Sequence, residues 1–336
     1  MKIGDFDLEK HVFIIAEIGA NHEGDIELAR LLIQKAAKTG VDAVKFQNYL
    51  PHKIISGKDK ERFEHFRRLA LKEEDFPKLA ALAREEGLIF LSTPFYLDAV
   101  DLLAPIVLAF KIASGDITYK HLLQHVASKG KPILLSTGMS TTGDVQSAIE
   151  TIKRANPKII EEKNLLLLHC VSAYPSKPEE ANLRSIPFLK ETFQLPVGYS
   201  DHVPGLEVAL YAVAAGACLI EKHFTFDKTR QGFRDHQLSA DPDDMVELVK
   251  KVRVLEAVLG DYKKEPVAGE LANRESMRRS LVARVDITVG SEITDEVLTA
   301  LRPETGIPVV EWERVVGKKA RRDIGRGEIL SEQDLT

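Results

Sequence analysis

Between Val12 and Thr225 the chain repeats one alternation eight times: a short apolar run of strand length, then a longer stretch with helical period. The runs are VFIIAEIG from Val12, AVKFQ from Ala43, LIFLSTP from Leu88, LAFKIASG from Leu108, PILLSTG from Pro132, LLLLHC from Leu165, PVGYSDH from Pro196 and CLIEKHFT from Cys218. Between them lie segments such as DIELARLLIQKAAKTG, which Asp25 can cap and Gly40 can end, and DPDDMVELVKKVRVLEAVLG, which opens on acids and closes on Gly260. Eight strands, each followed by a helix, fit a closed (β/α)8 TIM barrel better than a doubly wound sheet, which commonly has fewer strands and a Gly-rich first turn. The chain has no G-x-G-x-x-G, which argues against a dinucleotide site.

After Gly260 the pattern changes. The barrel is expected over 1–262, a charged linker with some helical potential over 263–278, and a compact β-rich domain over 279–336. Within that domain ARVDITVGSEITDEVL from Ala283 and ARRDIGRGEILSEQDL from Ala320 align without gaps, which implies two copies of a strand-turn unit. So small a domain buries little surface by itself, so docking onto a barrel is expected.

Composition narrows the ligands. A net charge of -5 gives no electrostatic reason to expect nucleic acid or an anionic membrane as partner, which leaves small molecules. The two cysteines, Cys170 and Cys218, both sit in apolar runs and read as buried reduced thiols. The first residues lack a basic-then-apolar signal pattern and no apolar stretch has the length of a membrane span, so a cytoplasmic protein is expected.

In such a barrel the chemistry sits at the carboxyl ends of the strands. Those ends carry, in order, Glu17; Lys45 and Gln47; Ser92 and Thr93; Lys111, Ser114 and Asp116; Ser136 and Thr137; His169, Ser172 and Tyr174; Ser200, Asp201 and His202; Glu221, Lys222 and His223. Any one of them alone is more often a surface charge or a turn former. Together they direct polar groups from all eight strands toward one mouth. Lys45 and Lys111 lie inside apolar strands, where an ammonium without an anion is costly, so an anionic ligand is expected. The hydroxyls of Thr93, Ser114 and Ser136 suit phosphate or carboxylate oxygens. His202 and His223 come from neighbouring strands and can share a divalent cation that keeps open positions for water and substrate; an isolated strand histidine is otherwise a core residue, the part given to His169. Strand alternation lets at most one of Glu221 and Lys222 face the mouth.

In this order IAEIGANHEG, VKFQ, STPF, KIASGD, LSTGM, LLHCVSAYP, GYSDH and EKHFT strongly resemble the sialic acid synthase (N-acetylneuraminate synthase) family, and the tail resembles its C-terminal antifreeze-like SAF domain, a β-clip. The resemblance implies condensation of phosphoenolpyruvate with a 2-acylamino aldose, giving a nine-carbon 2-keto-3-deoxy sugar acid and phosphate. It implies that Lys45, Thr93, Lys111, Ser114, Ser136, Ser172 and Ser200 hold phosphoenolpyruvate, and that His202 and His223 hold Mn2+ or Mg2+. Glu17 would position or deprotonate the water that adds to carbon two. Gln47, Asp116, Tyr174 and Asp235 would contact the amino sugar, and Arg302 would reach its acyl group from the SAF domain of a partner in a domain-swapped homodimer.

Two positions depart from the family pattern: Asp116 stands where many members have Glu, and Ser172 where many have Asn. The acceptor is therefore open among N-acetylmannosamine, its 6-phosphate and diacetamido-trideoxy hexoses. The rival readings are another phosphoenolpyruvate-dependent 3-deoxy-2-ketoaldonate synthase and a catalytically silent carbohydrate-binding homologue. The presence of Glu17, both lysines and both histidines argues against the silent one.

Overall fold

Each apolar run holds one strand of a closed parallel barrel in the computed structural model, which describes residues 1–230 and 235–336. A short antiparallel hairpin, β1 (Lys2–Ile3) and β2 (Phe6–Asp7), precedes β3 (Phe13–Gly19), β4 (Ala43–Asn48), β5 (Ile89–Pro94) and β6 (Phe110–Ile112). β7 (Ile133–Ser136), β8 (Leu165–Cys170), β9 (Val197–Asp201) and β10 (Leu219–His223) complete the ring, and β10 pairs with β3 to close it. The runs are apolar on both faces because both faces are covered. Ile14, Val44, Phe90, Ile133, Leu167 and Ile220 pack outward against the helices, while Phe13, Ile15, Ala43, Leu91, Leu134 and Leu219 pack inward on one another. The hairpin belongs to the inward set: Ile3 and Leu8 are buried with it, and the Phe6 and Phe13 rings meet edge to face at 4.8 Å. Apolar side chains thus fill the amino end of the barrel, and inward polar residues have room only at the carboxyl end.

The expected helix signals act locally. Asp25 caps Ile26–Ala37 by accepting from the Glu27 and Leu28 amides, and Gly40 follows at φ +83. Asp241 and Asp244 form a reciprocal capping box at the start of Pro242–Leu259. Among the described residues no helix is long and apolar enough to cross a membrane.

The chain divides into two units, Met1–Gly260 and Asp261–Thr336. The second contains a helix, Ala268–Met277, and an antiparallel pair, β11 (Ser280–Ala283) and β12 (Leu298–Leu301), over a core that includes Leu281, Ile293, Ile307, Val315, Ile324 and Leu330. The internal echo is a local pseudo-twofold. Ile287 and Ile324, equivalent in the two copies, exchange both backbone hydrogen bonds at 2.8 and 2.9 Å. Gly290 donates to Ala320 O at 2.7 Å, and its counterpart Gly327 donates to Ala283 O at 2.8 Å. Both glycines have left-handed φ, +81 and +85, with open space where a Cβ would stand. Gly290→Ala and Gly327→Ala should therefore each destabilise this unit through backbone strain alone, by about 1 kcal/mol. Hydrogen exchange at the β11–β12 amides should show two nearly equal decrements; unequal ones would break the equivalence.

Candidate active site

The polar mouth begins two residues beyond the last inward apolar residue of nearly every strand. Glu17 follows Ile15, Lys45 follows Ala43, Thr93 follows Leu91, Lys111 follows Ala109, Ser136 follows Leu134, Cys170 follows Leu168 and Glu221 follows Leu219. These residues, with Ser200 from β9, line a single cavity together with Gln47, Phe95, Ser114, Tyr174, His202 and His223.

At its floor two lysines and two carboxylates alternate. Lys45 Nζ lies 2.8 Å from Glu17 Oε2 and 3.7 Å from Glu221 Oε2. Lys111 Nζ lies 3.3 Å from Glu221 Oε1, which also accepts from Ser200 Oγ at 2.9 Å. Lys45 donates to Thr93 Oγ1 at 3.3 Å, and Gln47 Nε2 donates to Glu17 Oε1 at 2.9 Å. All four charged groups are at most 4% exposed. The structure thus supplies internal anions for both buried lysines, where sequence reasoning looked only to a ligand.

The quartet is not symmetric. Burial raises the Glu17 carboxyl pKa above the usual range; Lys45 opposes this and Glu221 reinforces it. Burial also acts to raise Glu221, but Lys111 and Lys45 together outweigh it and hold that carboxyl low. Burial lowers Lys111 despite Glu221, whereas Glu17 and Glu221 overcome burial at Lys45 and raise it. The surroundings therefore favour the protonated form at Glu17 more than at Glu221, which its two lysines hold toward the anion.

The two histidines stand above this floor with ring centroids 5.4 Å apart, and Tyr174 packs 4.2 Å from the His202 ring. His202 Nδ1 is 2.7 Å from Val171 O, a contact that requires Nδ1 to carry the proton and leaves Nε2 with its lone pair. Burial lowers the pKa of both imidazoles, so both are held neutral, the metal-binding form. His223 Nδ1 is buried with no hydrogen-bond partner among the described residues. Gly19, at φ +55, leaves the space in front of these groups clear: a Cβ there would stand 3.3 Å from Glu17 Oε1, 3.4 Å from Gln47 Nε2 and 3.5 Å from His223 Cε1. Two neutral imidazoles beside a side-chain-free space fit a divalent ion with open positions. Among the described residues no group of three or more His, Cys, Asp or Glu is placed to hold one.

Other expected site residues lie around the rim or elsewhere. Ser114 Oγ accepts from the Gly138 amide at 3.1 Å and touches Cys170 Sγ at 3.1 Å; a Cβ at Gly138 would collide with Ser114 and Ser172. Ser136 Oγ is buried without a partner among the described residues. Asp116 sits on the turn Ser114–Asp116 with a buried, unbonded Oδ2, and burial pushes its pKa up to about 6. Asp235 opens the short helix Asp235–Leu238 and acts electrostatically on Tyr49 and Tyr174. Arg302 belongs to the Asp261–Thr336 unit, just past β12. His169 turns away from the mouth, with Nε2 2.7 Å from Ala181 O. Asp201 and Lys222 also turn outward and pair with each other at 2.8 Å.

Glu221 is the residue that sequence reasoning left unassigned. Its signal was present: Glu221 is two residues before His223 and shares its face, so Lys222 had to point the other way.

Fold and site together define a class: a barrel enzyme that works on a small anion at the strand ends and carries a β-rich C-terminal domain. The chain belongs to the NeuB family, whose model matches residues 32–264, and the SAF domain model matches residues 278–336. It is 41% identical over 332 residues to the N,N'-diacetyllegionaminic acid synthase of Legionella pneumophila, covering 95% of this chain and 93% of that protein. Identity to a pseudaminic acid synthase of Campylobacter jejuni is 36% over 351 residues, covering 100% of each. Among solved structures, N-acetylneuraminic acid synthetase from Leptospira borgpetersenii superimposes with a TM-score of 0.76 at 36% identity, covering 81% of this chain and 94% of that one.

The quartet can be tested by its charge balance. Glu221→Gln leaves Lys111 without its anion and should cost about 3 kcal/mol of stability. Glu221→Gln combined with Lys111→Met removes one charge of each sign, and should recover most of that loss in urea unfolding while restoring no turnover. Additive losses in the double variant would refute the coupling.

Proposed function

We propose that the acceptor of this enzyme is a diacetamido hexose that yields a legionaminate-type product. The reaction is a phosphoenolpyruvate-dependent condensation forming a nine-carbon 2-keto-3-deoxy sugar acid and inorganic phosphate. The observation that carries the reading is the buried row of lysines and hydroxyls at the strand ends: it suits a small, multiply charged, oxygen-rich anion. Similarity to the Legionella legionaminic acid synthase supports the choice of acceptor.

In this reading Lys45 and Lys111 neutralise phosphoenolpyruvate, and the hydroxyls of Thr93, Ser114, Ser136, Ser172 and Ser200 orient it. Gln47, Asp116, Tyr174 and Asp235 hold the sugar. Carbon three of the enol forms a bond to the aldehyde carbon, whose oxygen takes up a proton. Water adds to carbon two, and the bond from carbon two to the phosphate oxygen breaks, leaving the ketone and free phosphate. Glu17 accepts the proton of the adding water, a part suited to a carboxyl whose pKa burial has raised. His202 and His223 would hold manganese or magnesium, which when bound supplies a Lewis acid for the aldehyde oxygen. The working unit is a domain-swapped homodimer in which Arg302 reaches the acyl group of the acceptor in the partner's barrel. Free Cys170 and Cys218 suit the reducing cytoplasm.

Phosphate release from phosphoenolpyruvate should require both an amino sugar and a divalent metal. Across a panel read by mass spectrometry, the diacetamido-trideoxy hexose should give the highest kcat/KM; preference for N-acetylmannosamine or its 6-phosphate would overturn the acceptor assignment. His223→Ala should lose bound metal by elemental analysis and lose turnover while keeping its fold. Near-normal metal content in that variant would sink the two-histidine site.

The trans role of Arg302 has its own test. Glu17→Ala and Arg302→Ala are each impaired, but a mixed dimer holds one doubly damaged site and one intact site. Coexpression with random pairing should restore normal composition to about a quarter of all sites. Purified mixed dimers without activity above either parent would place Arg302 in its own chain's site, or in none.

A further inference from the structure

A second polar network crosses the seam where β10 closes on β3, outside the charged floor of the mouth. Beyond β10 the chain runs out through Thr225 and returns at Ala240, which accepts from the Thr225 amide at 2.9 Å and donates to His223 O at 2.8 Å. Asp235 opens the short helix on the returning limb, and the next residue, His236, is fully buried. Its Nε2 lies 3.1 Å from Glu23 Oε1, and its Nδ1 lies 2.7 Å from Thr225 Oγ1. Glu23 also pairs with Arg230 of the outgoing limb, Nη2 donating to Oε2 at 3.0 Å, and the Arg230 guanidinium lies over the Phe226 ring at 5.2 Å. One carboxylate from the segment after β3 thus holds both limbs.

The protons in this network have one consistent arrangement. Arg230, with help from His236, holds the Glu23 carboxyl below the usual range, so it is ionised and can only accept. His236 Nε2 therefore carries a proton. Burial keeps the ring neutral, so Nδ1 takes the proton of the Thr225 hydroxyl. Carboxylate, imidazole and hydroxyl in this order also make up a nucleophilic triad, but Thr225 is fully buried and its oxygen is closed to substrate. What the chain of bonds can do is fix position. Asn21 completes the hold: its Nδ2 donates to Phe224 O and to Ser239 Oγ, each at 2.9 Å, and Ser239 Oγ donates to Asp235 O. Asp235 is therefore fastened to the segment after β3 through the residue that follows it and through its own carbonyl.

The backbone of Glu23 gives an independent sign of function. It stands at φ +52, a left-handed conformation that glycine adopts freely and an L side chain only under strain. Strain of this kind is kept where the side chain has work to do.

We propose that Glu23 and His236 are positioning residues that hold the Asp235 carboxylate at the mouth for the acceptor sugar. The proposal rests on the reading that Asp235 contacts that sugar.

Glycine suits the left-handed backbone, so Glu23→Gly deletes the carboxylate without adding strain. With the diacetamido-trideoxy hexose as acceptor, it should raise the acceptor KM about tenfold or more and leave the phosphoenolpyruvate KM within about twofold. Metal content by elemental analysis should not change. Glu23→Gln, which keeps an oxygen for His236, should recover most of the loss. Asp235→Ala should raise the acceptor KM by itself, and adding Glu23→Gly to it should change that KM less than about twofold further. An unchanged acceptor KM in Glu23→Gly beside an impaired Asp235→Ala would overturn the clamp and leave the acceptor reading standing. So would an equal rise in both KM values, a loss of metal, or fully additive effects, since each marks a disturbance that does not pass through Asp235. An unchanged acceptor KM in Asp235→Ala would overturn the acceptor reading, and the clamp with it. If Glu23→Gly fails to fold, Arg230→Ala, a change at an exposed position that releases the outgoing limb from the same carboxylate, is held to the same KM split and the same non-additivity.

Discussion

Lys45 and Lys111 lie inside a parallel barrel, where an uncompensated ammonium is costly by several kcal/mol, and the mouth is arranged around how that cost is offset. Glu17 and Glu221 supply the opposing charge, each from a neighbouring or facing strand, and Gln47, Thr93 and Ser200 hydrogen-bond to Glu17, Lys45 and Glu221 in turn. The four charges sum to zero, so the empty site is tolerable. Their surroundings are unequal: Glu221 lies between two cations that hold its carboxyl low, while burial and Glu221 together raise Glu17.

The same strand parity that brings these charges together also builds the tier above them. His223 stands above Glu221 and Gln47 above Lys45, each two residues further along its strand, while Gly19, beyond a register shift between β3 and β4, faces them without a side chain. The missing side chain is what leaves the histidine pair open toward the centre of the mouth. Below, the N-terminal hairpin and the large inward residues fill the closed end, so ligands have access from one side only.

The second unit solves a different problem. A domain of this size has little apolar surface to bury, and duplication lets one turn geometry, with its left-handed glycine, be used twice around a local twofold. The long helix before it ends at the barrel's closed end because Arg253 and Glu256 tie it to the starts of the first two strands.

The sequence by itself determined the eightfold strand-helix alternation, the caps at Asp25 and Gly260, the duplicated tail and most of the mouth, because a barrel strand has only one place for an inward polar residue. Period-two alternation even contained Glu221, once His223 was taken to face inward. Only the tertiary structure decided which charges meet. Glu17 and Glu221 are far apart in the chain, and their approach to Lys45 depends on ring closure between β10 and β3. It likewise decided what the outward-facing His169, Asp201 and Lys222 bond to behind the strands. Local pattern sets which face of a strand a side chain occupies, whereas charge pairing and pKa depend on distances across the barrel, and those exist only when all eight strands have closed.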